Sequence, residues 1–463
     1  MSRMILSCQR PAESRFRNLQ LRDQDSVNVQ AQKVMGGIKY ARENMTKIDP
    51  FRCERMDKTA GKIIIDGNSA CALGAMFAGV TVATWYPITP SSALCETLET
   101  YMNKYRHDED GKATYAIVQA EDELAAVGMA IGAGWAGARS MTGTSGPGIS
   151  LMGEFVGLAY YTEIPVVIFD VVRVGPSTGL PTRTQQSDIL SLALLSHGDT
   201  KHVIVIPGSI EECFSLSMSA FNLSERLQTP VFVMTDLDMG MNNWMSDQFE
   251  YPTEEIDRGK VLSAEDLERI GDFGRYRDVD GDAIPYRTLP GTDHPLASFF
   301  TRGSGHNADA VYSERPDDYV ENMDRLSRKY ETARTMVPAP VIDYVDDPTI
   351  GLVAFGTTDS AIEESRDQLK REHGIEVNYL RLRALPFTSE FFEFVDRCER
   401  VYVVEQNRDA QMLVLMKIDL PADRVTKLRS ILHYSGIPID ARFITDEFIA
   451  CESNGNNGSK END

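Results

Sequence analysis

Between Val80 and Thr184 apolar segments repeatedly run into short corners of glycine, proline and hydroxyl residues, and this rhythm constrains the fold more than any other feature. The corners are Tyr86-Pro87-Ile88-Thr89-Pro90-Ser91-Ser92, Thr142-Gly143-Thr144-Ser145-Gly146-Pro147-Gly148, and Val172-Arg173-Val174-Gly175-Pro176-Ser177-Thr178-Gly179-Leu180-Pro181-Thr182. Each follows an apolar segment and precedes one that can start a helix, the alternation that gathers loops at one edge of an α/β sheet. Chemistry is expected at that edge.

Val80 to Trp85 reads as a strand, Ser91 to Tyr105 as a helix and Thr114 to Val118 as a short strand. Pro90 biases Thr89 toward an extended backbone, so this corner either turns the Thr89 hydroxyl toward an anion or is a plain turn. Glu121 stands at a strand exit and Glu123 at the positive end of the next helix, where capping or solvation also accounts for a carboxylate. The loop at Ser145 to Gly148 has neither the G-x-x-x-x-G-K-[ST] nor the G-x-G-x-x-G phosphate pattern. Its glycines leave room for a ligand and Ser145 can donate a hydrogen bond, so packing against substrate or cofactor is expected. Ile164 to Val172 is dominated by β-branched residues and reads as a buried strand. Arg173 at its end either grips a carboxylate with its planar donors or makes a surface salt bridge.

A chain of 463 residues is too long for one ordinary core and implies two or three domains. The divisions expected are an arm or linker over 1–58, a first α/β domain over 59–250, a connecting excursion over 251–339, a second α/β domain over 340–451 beyond Pro338 and Pro340, and a disordered tail over 452–463. Ile63-Ile64-Ile65 is read as the start of the core, and segment 30–45 as an amphipathic helix through Val34, Ile38, Tyr40 and Met45. A formal charge of -22 argues against binding nucleic acid or an acidic membrane. The cysteines at 8, 53, 71, 95, 213, 398 and 451 include no C-x-x-C pair, so no iron-sulfur or zinc site is expected within this chain. With neither a membrane span nor a signal-peptide core, a cytoplasmic location is expected.

Taken together, the Tyr86 to Ser92 corner, Gln119-Ala120-Glu121, the Ser145 to Gly148 loop and the Arg173 to Thr182 loop resemble the thiamine-pyrophosphate-dependent 2-oxoacid:ferredoxin oxidoreductases. Within them the chain is most similar to the alpha subunit of the 2-oxoglutarate type, 2-oxoglutarate synthase, over about residues 60 to 450. The resemblance implies a thiamine-diphosphate-binding fold, in which the pyrimidine-side domain precedes a transketolase-C-terminal-like α/β domain. It implies a beta subunit that carries the diphosphate side, Mg2+ at the interface and a [4Fe-4S] cluster, in an (alpha-beta)2 assembly that reduces ferredoxin. The implied reaction is coenzyme A-dependent decarboxylation of 2-oxoglutarate to succinyl-CoA. Pyruvate or a branched 2-oxoacid is the alternative substrate, and a non-catalytic scaffold the alternative role.

By residue, the resemblance gives Glu121 the cofactor-activating role of a buried carboxylate, and Thr89, Arg173 and Ser145 the substrate. Pro87, Ile88 and Gly146 join Glu121 in contacting the cofactor. The distal carboxylate of 2-oxoglutarate needs a second partner, for which His294, Arg302 and His306 are the candidates. Two histidines make no zinc site, and no metal ligands are assigned to this chain. Close relatives carry a gamma-like domain ahead of the thiamine region, so gamma is expected to be a separate subunit, dispensable, or reduced to the segment 1–58.

Overall fold

The computed structural model describes residues 24–46, 57–253, 255–346 and 348–457. The chain divides between Lys62 and Ile63 into two units. In the first, a helix spans Gln24–Asn44, longer than the segment the sequence suggests. Of the expected stripe Ile38 is buried, whereas Val34, Tyr40 and Met45 are exposed. Residues 1–23 and 47–56 of the arm and residues 458–463 lie outside the described residues.

The second unit is built on two sheets. The larger takes β2 (Val82–Trp85), β3 (Ala116–Gln119), β4 (Ser140–Thr144), β5 (Val166–Val172), β6 (Val203–Val205) and β7 (Pro230–Asp236), all parallel, plus the short β12 (Ala384–Leu385). Its order is β12-β6-β7-β5-β4-β2-β3. Every residue of β5 and β7 is buried, as their valine-rich runs require of strands covered on both faces. Helices Gly67–Phe77, Ser92–Tyr105 and Ile210–Leu227 cover one face, while Glu123–Trp135 and Gly146–Thr162 cover the other. The second sheet has the order β14-β13-β10-β11-β9, with β9 (Val341–Asp343) antiparallel to β11 (Asn378–Leu382) and β10 (Ile350–Phe355), β13 (Arg400–Glu405) and β14 (Leu428–Leu432) parallel.

Three expectations need correction. Ile63-Ile64-Ile65 is not a core strand: β1 (Ile63–Asp66) pairs only with β8 (Asn243–Ser246) in an antiparallel ribbon, and Ile64 is 74% exposed. The 340–451 segment is not self-contained, because its β12 joins the first sheet and one apolar cluster runs from Val127 through Phe391 to Leu428. Residues 452–457 are not a disordered tail but the last turns of the helix Ala441–Asn457.

The excursion is anchored by charge. Glu163, fully buried at the left-handed end of helix Gly146–Thr162, accepts from Arg325 Nη2 at 2.5 Å and Nη1 at 3.0 Å and from Lys329 Nζ at 2.7 Å. Both cations project from the helix Pro316–Ala333. Burial alone would raise the Glu163 pKa, but Arg325 and Lys329 overcome it and hold the carboxylate at about 2. Burial acts the other way on Lys329, lowering its ammonium to about 8.

Candidate active site

Because β3, β2, β4 and β5 are parallel neighbours, the loops leaving their C-terminal ends emerge along one edge. The corner after β2 is tied inward by Asn68, whose Nδ2 donates to the Pro90 carbonyl at 2.9 Å, and by Ser92 Oγ, which accepts from the Ile88 amide at 2.9 Å. Arg173, at the end of β5, is only 7% exposed and donates through Nη1 to the Thr89 carbonyl at 2.7 Å. The sequence reading had both residues facing one anion. The structure joins them directly, through the Thr89 backbone, and leaves the Thr89 residue exposed at the mouth beside Pro87.

After β4, Ser145 is fully buried with its hydroxyl unpartnered, and Gly146 opens the helix Gly146–Thr162 with Pro147 in its first turn. Gly148 cannot be replaced cheaply: a Cβ there would stand 2.0 Å from Thr144 Oγ1 and 2.7 Å from Glu123 Cγ. That distance also shows where Glu123 lies. Its side chain is buried against the Gly148 turn, whereas Glu121, expected to be the buried carboxylate, is exposed at the exit of β3. Asp122 between them caps the helix Glu123–Trp135, accepting from the Ala125 amide at 2.6 Å. Glu123 therefore occupies the first helical position, where side chains tilt back toward the preceding strand end. The Asp cap followed by a helical Glu was the available signal, and it was assigned to helix-end charge.

Behind Arg173 two further carboxylates were missed. Asp170 within β5 is fully buried with both oxygens unpartnered, and Asp188 lies so near Gly146 that a Cβ there would meet its Oδ2 at 2.8 Å. Burial first, and then Asp188, pushes Asp170 well above the usual carboxylate range. Burial raises Asp188 to about 7 against the pull of Arg173. The hydroxyls of Thr142 and Ser187 and the Arg173 Nε are also buried and unpartnered.

The segment that carries the second sheet closes one side. Gly436 sits against Arg183, Leu180 and Val174 of the loop after β5, which is folded on itself by Leu180 N to Val174 O at 3.1 Å. Gln186 ties the first sheet's loops to the second sheet, donating to the Phe355 carbonyl at 2.9 Å while Asn407 Nδ2 donates to the Gln186 carbonyl at 3.0 Å. Glu405 accepts from the amides of Met412 and Leu413 at 2.8 and 3.1 Å, a structural role.

The three distal candidates are not at this edge. His306 is buried, stacked on Tyr276 at 4.0 Å between centroids and against Tyr161 at 4.8 Å. Tyr161 lies in the last turn of the 17-residue helix that Gly146 begins, about 22 Å away along its axis. Arg302 lies over the rings of Phe300 and Tyr312 at 4.4 and 5.1 Å, and His294 Nε2 is 3.2 Å from Glu268 Oε2. The Glu163 anchor holds the excursion at the opposite end of the strands, so in this chain none of the three meets Arg173. A cavity of about 670 Å³ between Phe77, Phe214 and Tyr251 is also lined by none of the strand-edge residues.

Among the described residues, no helix is long and apolar enough to cross a membrane, and no group of three or more His, Cys, Asp or Glu side chains is placed to hold a metal ion. A buried carboxylate, an unpartnered serine and a glycine turn beside the Ile88 corner fit the pyrimidine end of thiamine pyrophosphate in their donor chemistry.

The family described as "Pyruvate flavodoxin/ferredoxin oxidoreductase, thiamine diP-bdg" matches residues 73–269. The chain is 33% identical to 2-oxoacid:ferredoxin oxidoreductase 2, subunit alpha, of Aeropyrum pernix over 84% of its length and 61% of that protein's. It is also 33% identical to 2-oxoglutarate synthase subunit KorA of Methanothermobacter marburgensis, over 74% of its length and 87% of that protein's. A solved 2-oxoglutarate:ferredoxin oxidoreductase from Magnetococcus marinus, with 2-oxoglutarate, coenzyme A and succinyl-CoA bound, superposes with a TM-score of 0.80 at 26% identity, covering 90% of this chain and 70% of that one. The chain spans about 60% of the length of the first of these relatives. On the identity and coverage shared with the Methanothermobacter subunit, and with a parallel α/β fold like that of the Magnetococcus enzyme, the chain belongs to the family of 2-oxoacid:ferredoxin oxidoreductase alpha subunits.

Proposed function

We propose that the chain is the alpha subunit of a 2-oxoglutarate:ferredoxin oxidoreductase, which forms succinyl-CoA and carbon dioxide from 2-oxoglutarate and coenzyme A. The observation that carries the reading is Arg173, a buried guanidinium tied to the Thr89 carbonyl at the edge where the strand loops converge. Its planar donors suit the carboxylate beside the keto group, and the Thr89 hydroxyl at the mouth orients it. Ser145, buried with a free hydroxyl, offers a further donor.

Thiamine pyrophosphate, when bound, supplies the electron sink for the decarboxylation. Pro87, Ile88 and Gly146 line its place in this reading. Glu123, rather than Glu121, is the carboxylate that hydrogen-bonds the pyrimidine ring, because a buried carboxylate holds a proton position that an exposed one loses to water. Tyr86, Val118, Leu124 and Met129 leave apolar surface exposed near Glu121, which supports a subunit covering this edge. That beta subunit carries the diphosphate side with Mg2+ and the [4Fe-4S] cluster, in an (alpha-beta)2 assembly with ferredoxin as acceptor and a cytoplasmic location.

The test is to copurify the chain with its beta subunit and measure ferredoxin reduction with coenzyme A and 2-oxoglutarate, pyruvate or 2-oxoisovalerate. The highest kcat/KM is expected for 2-oxoglutarate. Equal or better use of an uncharged-tail substrate overturns the substrate, and no turnover of any 2-oxoacid overturns the reaction.

A further inference from the structure

Where the excursion packs on the rest of the chain, more positive charge is buried than negative. Arg139, Arg275, Arg287, Arg325 and Lys329 are each at most 4% exposed, and the buried carboxylates that meet this group are Glu163 and Glu225. Glu163 is taken up by Arg325 and Lys329. Glu225 serves three guanidinium groups: it accepts from Arg287 Nη2, and Arg258 Nη1 and Arg139 Nε stand 3.2 and 3.8 Å from its Oε1. Arg275 has no carboxylate partner among the described residues, and its Nη2 donates to the Glu163 backbone carbonyl at 2.9 Å. A guanidinium keeps its proton, so its buried charge has to be met by an anion.

Arg275 and Arg287 line one small cavity, together with Thr301 and the helix ends at Trp135 and Thr162. Its volume is about 10 Å³, room for one water-sized sphere and too little for a phosphate or a carboxylate. In each guanidinium one buried N–H, at Arg275 Nη1 and Arg287 Nε, meets no acceptor among the described residues. Thr301 Oγ1 accepts from Trp135 Nε1 at 2.8 Å, which leaves its own O–H free to donate. A water molecule would accept from both guanidinium groups and leave their charges facing one another, whereas a monatomic anion answers the hydrogen bonds and the charge together. We propose that this cavity is a halide site, in which one chloride ion is held by Arg275, Arg287 and Thr301. These three residues come from separate points of the excursion, and the ion draws them together against the helix ends at Trp135 and Thr162. It is a second fastening of the excursion, beside the Glu163 ion pairs and independent of them.

The test uses the full chain and does not depend on which 2-oxoacid it serves. Sodium chloride exchanged for sodium gluconate at constant ionic strength should raise Tm along a saturating curve, by about 3 °C at a hundred-fold excess over Kd, and sodium bromide should do the same. Arg275→Met, which removes one cation and one donor, should abolish this dependence. Thr301→Val, which removes only the hydroxyl, should move its midpoint several-fold toward higher chloride. Crystals of the wild-type chain soaked in bromide should show an anomalous peak in the cavity, within hydrogen-bond reach of Arg275 Nη1 and Arg287 Nε, and this reading needs neither variant to fold. A water molecule at that position with no bromide peak overturns the site. So does a Tm that rises linearly with chloride and equally in the wild type and Arg275→Met, the behaviour of general salt effects.

Discussion

Replacing Glu163 with glutamine removes one charge from the point where the excursion is fastened and leaves the rest of the geometry available. The residue has φ 55°, a left-handed conformation that costs glutamate and glutamine alike, so the substitution isolates electrostatics from backbone strain. The fall from an ordinary 4.5 to about 2 corresponds to a stabilisation by the ionised form on the order of 3 kcal/mol. A glutamine carbonyl still accepts from Arg325, but its amide turns donors toward Lys329. Lys329, already lowered to about 8, can shed its proton and recover part of the loss. The expected destabilisation is therefore about 3 kcal/mol at pH 7, at the low end for a broken buried ion pair, and smaller above pH 8. In the wild type this contribution is complete above pH 4.5 and disappears as pH falls through about 2, because the folded pKa is the depressed one. Hydrogen exchange read over residues 264–333 is the assay, since the excursion can open without global unfolding. Protection in Glu163→Gln within a factor of five of wild type at pH 7, a change below about 1 kcal/mol, would refute the electrostatic anchor.

Glu123→Gln in the assembled complex should lower kcat by about 10²- to 10⁴-fold, while Glu121→Gln costs less than ten-fold; the reverse order would return the role to Glu121. Arg173→Ala should raise KM for 2-oxoglutarate, pyruvate and 2-oxoisovalerate alike, and Arg173→Lys should restore only part of the loss because an ammonium lacks the bidentate fork. Gly148→Ala should impair turnover through displacement of Thr144 and Glu123, and wild-type kinetics in that variant would show that the turn yields freely.

The central strands were legible because their β-branched runs admit little else, and the strand read over Ile164 to Val172 contains all of β5. The loop edge followed from the corners. What the sequence hid was set by tertiary contacts. An apolar triplet such as Ile63-Ile64-Ile65 looks the same in a central strand and in a solvent-facing ribbon. Glu121 and Glu123 differ by two positions around a cap, and that difference turns one outward and the other into the groove. His306 was expected at the substrate because nothing local announces that Glu163 draws the helix Pro316–Ala333 to the far end of the sheet. Asp170 was passed over inside a strand whose neighbours are all apolar.

The pairing of Ala384 and Leu385 with Val205 and Ile204 is only two residues long, yet it covers the open side of β6. Without it the outermost strand would offer a row of amides and carbonyls to any passing chain. A fragment ending near residue 340 would keep every residue assigned to the site and still be poorly behaved, sticking to its own copies along that bare flank. During synthesis the same holds for a time, since the protecting dipeptide leaves the ribosome nearly 180 residues after the strand it shields. The early half of this chain therefore has to wait for its later half before it is safe from aggregation.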